Sequence, residues 1–128
     1  MGKTRYKNIM QDINNRKYVG RLIFSVLTEQ KNVREAIKLF PESKDVNIEC
    51  AYHALVHYAA DEEIRYLDIE YREAQDDYLE FLAQTLREGK NLPKNIIQEY
   101  KPYYKGTTQT WKDGLKGMWK ELCRFINL

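Results

Sequence analysis

Apolar side chains recur along this chain at helical spacing rather than in alternation. Tyr18, Leu22 and Val26, widened by Ile23, Phe24 and Leu27, form one stripe and predict a first helix that begins as early as Tyr6 or Ile9. Asn32 is placed to cap a short second helix carrying Val33, Ala36, Ile37 and Phe40. Pro41 ends it, because proline disfavours helical geometry in the residue before it. Ser43 or Asp45 can cap the next helix.

From Val46 to Glu88 there is neither Gly nor Pro, and a 3-4 series runs through Val46, Cys50, His53, His57, Ala60, Ile64, Leu67, Tyr71, Ala74, Tyr78 and Phe81. Read as one helix, this segment would be roughly 64 Å long at 1.5 Å per residue, far beyond the roughly 14 Å radius of gyration of a compact chain of this length. The unbroken phase favours one straight or gently kinked helix, whose overhang a second copy would cover. The alternative is a bend at Asp61-Glu62-Glu63 with Asp61 as a new N-cap.

Gly89 suits a helix C-terminus. Asn91-Leu92-Pro93 then opens a short helix bearing Ile96, Ile97 and Tyr100, which stops before Pro102. After a connector over 103–109, Thr108 or Thr110 can cap a last helix. Its apolar positions are Trp111, Leu115, Met118, Trp119, Leu122, Phe125 and Ile126. Gly114 and Gly117 each weaken that helix by about 1 kcal/mol, so it needs packing to persist. The pattern predicts an all-α fold, a single helical domain over 1–128, built as a bundle of about five helices around a long central one.

Composition agrees with a packed helical domain: 128 residues, 43% hydrophobic, 6 Gly and 3 Pro leave little room for a loop-rich all-β design. The net charge of +2 conceals a strong asymmetry. Residues 1–38 hold nine Lys/Arg against three Asp/Glu, 39–88 four against thirteen, and 89–128 eight against three. An acidic middle therefore lies between basic flanks, which can neutralise it by packing or can meet an acidic partner. No apolar run reaches the ~20 residues needed to span a bilayer, and no leader-like apolar segment opens the chain, so a cytoplasmic location is expected.

Candidate chemistry is sparse. Glu49, His53, His57 and Asp61 lie at intervals of four on a helix, so neighbouring members share a face and could begin a site for a divalent transition metal. A single ion could not hold Cys50, His53 and His57 together, since Cys50 and His57 stand about 10.5 Å apart along the axis. Further ligands would have to come from the carboxylates of 62–80. The structural alternative is two histidines that belong to the core, with no cofactor at all. Cys50 and Cys123 lack the spacing of a disulfide framework. A thiol in an apolar stripe also has its pKa raised, which argues against a nucleophile.

Lys112, Lys116, Lys120 and Arg124 make one ridge on the last helix, able to contact nucleic acid or an acidic partner. Tyr100, Tyr103 and Tyr104, interleaved with Lys101 and Lys105, could add stacking. No catalytic set is complete. The reading is a non-enzymatic interaction or adaptor protein that self-associates as a homodimer, with metal binding at His53 and His57 or nucleic-acid binding by the basic ridge as alternatives.

Overall fold

The computed structural model describes residues 2–99, with side chains from residue 7 onward. Six helices occur in order: α1 (Gly2–Leu27), α2 (Val33–Lys38), α3 (Val46–Ala60), α4 (Glu62–Leu67), α5 (Ile69–Arg87) and α6 (Lys94–Glu99). Together they form an all-α bundle, as the apolar periodicity predicts.

The principal pairing is α1 with α5. Val19, Leu22, Ile23 and Val26 meet Leu79, Leu82, Ala83 and Leu86, two matching i, i+3, i+4, i+7 stripes. The helices run antiparallel, since Ile13 lies near Gly89 while Gly20 abuts Ala83 and Arg87. Gly20 sets their approach: a Cβ there would stand 2.6 Å from the Arg87 backbone nitrogen and 2.8 Å from the Ala83 carbonyl oxygen.

Against this pair lies α3, buried around most of its circumference: Ile48, Cys50, Ala51, His53, Ala54, Leu55, Val56 and Ala59 are all inside. A helix apolar on every side belongs in the middle of a bundle, and α3 is that central helix at 15 residues. Leu92 and Ile96 close its N-terminal end, and Ala36 and Ile37 of α2 complete the core.

Side chains at the expected positions fix the helix ends. The Asn32 carboxamide oxygen accepts from the Glu35 backbone N–H at 2.8 Å while its amide donates to the Glu35 carboxylate, also at 2.8 Å, a reciprocal cap. Asp45 caps α3 by accepting from the Asn47 N–H at 3.1 Å, and the Ser43 hydroxyl accepts in turn from the Asp45 N–H. At the end of α5, Gly89 (φ 76°) and Lys90 donate to the Leu86 and Thr85 carbonyls, the two bonds of a Schellman termination. The end of α1 puts Glu29, rather than a glycine, at φ 61°.

One polar knot joins three segments. Arg16 Nε donates to Asp45 at 2.6 Å and its Nη1 to the Gly89 carbonyl. Buried Asn47 bonds Asp45, Asn91 and the Leu92 N–H.

The expectation of one long helix over 46–88 is corrected: the segment divides at Asp61 and at Asp68. At Asp68 the backbone is fully extended (φ −128°, ψ 103°), and its carboxylate accepts from the Tyr71 N–H at 3.1 Å. Asp61 sits between α3 and α4 without making a side-chain cap. With the helix divided, there is no straight overhang for a second copy to cover.

The 3-4 series also leaves the core after α3. Ile64, Leu67 and Phe81 lie on the outside, and the buried stripe of α5 is one position further on.

Candidate functional site

The proposed metal positions Glu49, His53 and His57 follow one another at single turns of α3, with Asp61 as its C-cap. His53 is 1% exposed in the core, with its ring edge-on to Tyr52. Burial, and then the nearby His57, pull its pKa down from 6.5 to about 4, so it is a neutral imidazole at physiological pH. His57 is half-buried one turn on. Glu49, one turn back, is buried, and its carboxyl is pushed above the usual range by desolvation and then by Asp45. Asp61 is engaged elsewhere, accepting the Tyr71 hydroxyl.

Among the described residues no group of three or more His, Cys, Asp or Glu side chains is placed to hold a metal ion. Cys50 is fully buried, with its sulfur 3.9 Å from the Ile96 carbonyl oxygen, a place for a packing thiol rather than an exposed nucleophile. Lys112, Lys116, Lys120, Arg124, Cys123 and the tyrosines of 100–104 lie outside the described residues.

The most unusual surface is the elbow from α4 into α5. None of α4 is buried. Ile64, Tyr66, Leu67 and Ile69 are 51%, 84%, 75% and 71% exposed, four large apolar side chains within six residues. Carboxylates surround them: residues 61–77 carry eight Asp/Glu and two Arg. Of these acids Glu62, Glu63, Asp68, Glu70, Glu73 and Asp77 are exposed.

Both arginines are already occupied. Arg65 Nη2 donates to the Tyr58 carbonyl at 2.6 Å, with its guanidinium 3.4 Å over the Tyr58 ring, and Arg72 sits 3.8 Å from Asp76. The surface therefore offers apolar contact within a field of negative charge.

This elbow is held in shape by bonds on its inner side. The Tyr58 hydroxyl donates to Asp76 at 2.8 Å, tying α3 to α5, and the Tyr71 hydroxyl donates to Asp61 across the bend. Both phenols have raised pKa values: Tyr58 through burial first and then Asp76, Tyr71 through its bond to Asp61 first. Asp61 and Asp76 are thus tied to tyrosines on the inner side, while Ile64, Tyr66, Leu67 and Ile69 stand outward among the exposed carboxylates.

Sequence reasoning passed over this patch because Ile64 and Leu67 fit the 3-4 stripe. The available signal was Tyr66 and Ile69 beside them: on one continuous helix positions 64, 66, 67 and 69 would spread over about 220° of the circumference, more than one neighbouring helix can bury.

A concavity between α1 and α5 is lined by Phe24, Glu80, Ala83, Gln84, Arg87 and Glu88. Arg87 stacks at 4.7 Å on Phe24 there. No helix among the described residues is long and apolar enough to cross a membrane. No family model, curated protein or solved structure matches the chain.

Proposed function

We propose that this chain is a non-enzymatic helical interaction protein whose binding surface is the α4–α5 elbow, and that the elbow recognises a basic, amphipathic helix. The observation that carries the reading is the exposure of Ile64, Tyr66, Leu67 and Ile69 inside a rim of carboxylates. Contiguous apolar side chains of this size on a small domain mark interaction sites. The rim selects the charge of the partner: apolar anchors supply affinity, and the carboxylates attract Lys and Arg while repelling acidic competitors.

Self-association of two elbows face to face is disfavoured, because each brings the same six exposed carboxylates. A second copy would have to offer basic residues instead.

The test is a titration of a fluorescent Lys/Leu amphipathic peptide against the chain and against its Leu67→Glu/Ile69→Glu variant, with circular dichroism confirming that both are folded. The reading expects saturable binding that weakens at least ten-fold in the variant and weakens with salt. Equal binding to the two proteins would refute it.

A further inference from the structure

We propose that the elbow is occupied by the chain's own C-terminal segment, residues 111–126, within the same molecule. This rests on the reading of the elbow as a site for a basic amphipathic helix, and it names the helix.

Three observations converge. The first is chemical complementarity: Trp111, Leu115, Met118, Leu122 and Phe125 recur at intervals of four and three. Lys112 and Lys116, about 100° and 140° round the helix from Trp111, border that stripe, and Lys120 and Arg124 continue the basic ridge toward the opposite face. The elbow shows the matching arrangement in negative charge, with Tyr66, Leu67 and Ile69 beside Glu62, Glu63, Glu70 and Glu73.

The second is reach. Ile96 lies against Cys50 on α3, and the elbow begins just past Ala60. That is roughly 15 Å further along the helix axis at 1.5 Å per residue. The segment 100–110 that precedes Trp111 spans up to about 36 Å when extended, more than twice that distance.

The third is need. Gly114 and Gly117 weaken the segment's own helical tendency, so its apolar stripe requires a surface to form against. Among the described residues, the elbow offers an exposed apolar surface whose charge is opposite to the ridge. Docking within one molecule also benefits from the short tether, which holds the segment near the elbow at an effective concentration on the order of millimolar.

The arrangement makes the elbow a regulated site. An external basic helix must displace residues 111–126, and a change that lowers the positive charge of the ridge opens the surface.

Zero-length carbodiimide cross-linking of the full chain, mixed in equal parts with its ¹⁵N-labelled form, tests this. The expected products join Lys112, Lys116 or Lys120 to Glu62, Glu63, Glu70 or Glu73, with both peptides carrying the same isotope. Cross-links between unlike isotopes would overturn docking within one molecule and assign the occupant to a second copy. Absence of any link from the ridge to the elbow would overturn both arrangements.

A second measurement separates failure of this inference from failure of the elbow reading. A fluorescent peptide of residues 110–128 is titrated against the parent chain and against the Lys112→Glu/Lys116→Glu/Lys120→Glu variant. Release of the internal competitor should tighten peptide binding by about ten-fold or more. Equal binding to both chains that still depends on Leu67 overturns the internal occupant while leaving the elbow as a basic-helix site. No binding to either chain overturns both.

Discussion

Replacing His53 should flatten the acid side of the stability profile. His53 is 1% exposed and its pKa is lowered from 6.5 to about 4, with burial the larger cause and the neighbouring His57 the smaller. The unfolded chain therefore binds a proton at this position before the folded chain does. The contribution is fully present above pH 6.5 and is lost as pH falls through the window down to about 4. At 1.36 kcal/mol per unit, the loss relative to pH 8 is about 2 kcal/mol at pH 5 and about 3 kcal/mol by pH 4.

Glu49 and Asp12 act in the opposite sense. Both carboxyls are raised mainly by desolvation, with Asp45 adding to each, so their folded forms regain stability as the acid is protonated. Because both carboxyls are present in both proteins, the difference between parent and His53→Gln isolates the imidazole.

Urea unfolding at 25 °C, monitored by circular dichroism from pH 8 to pH 4.5, gives that difference directly. The parent should lose about 2 kcal/mol more than the variant between pH 8 and pH 5, whatever their offset at pH 8. Parallel curves would show that His53 is accessible to protons in the fold and would refute its placement as a neutral core residue.

Four further substitutions probe the architecture. Gly20→Ala should destabilise by about 1–3 kcal/mol despite the better helix propensity of alanine, since the new methyl would meet backbone atoms of α5 at 2.6 and 2.8 Å; thermal unfolding checks it. Glu29→Gly should stabilise by up to about 1 kcal/mol, because φ 61° is strained for a side chain and natural for glycine, and a rise in urea midpoint is the readout. Asn47→Ala should cost about 1–3 kcal/mol by leaving the buried Leu92 N–H without its 2.8 Å acceptor, and faster amide exchange at Leu92 should accompany it. Leu67→Glu, introduced into the Lys112→Glu/Lys116→Glu/Lys120→Glu background in which the docked segment is released, should change stability by no more than about 0.5 kcal/mol, because that side chain is 75% exposed and outside the core; a large loss on calorimetry would contradict the elbow's exposure.

Local chemistry made much of the fold legible. Asn32, Asp45, Gly89 and Pro93 mark ends that depend on side chains or backbone preferences within a few residues, and the structure uses each of them there. The stripe of α1 was legible for the same reason.

The division of 46–88 was legible only as the alternative bend at Asp61, and the second break at Asp68 was not, because no Gly or Pro imposes it. Asp68 can sit in a helix or cap one, and the choice is made by compactness: folding back lets Leu79, Leu82 and Leu86 reach α1. The 3-4 count tracked Val46, Ile64, Leu67 and Phe81 because it registers apolar residues without knowing which face meets a neighbour, and all four are exposed.

The histidine spacing was legible, but the environment was not. Intervals of four place Glu49, His53 and His57 on one face, while only the packing of α3 at the centre turns that face into core. The elbow depends on the same tertiary choice, since its apolar residues are exposed only because the helix breaks on both sides of Glu62–Leu67.

Hydroxyl-radical footprinting of Tyr66 in the full chain tests the elbow most directly, because this ring, at the elbow's centre, is 84% exposed and oxidises readily unless something covers it. Tyr66 should be protected in the parent chain. Its oxidation rate should rise several-fold in the Lys112→Glu/Lys116→Glu/Lys120→Glu variant and fall again when the peptide of residues 110–128 is added. A Tyr66 that reacts at one rapid rate in all three samples would contradict internal docking on the elbow.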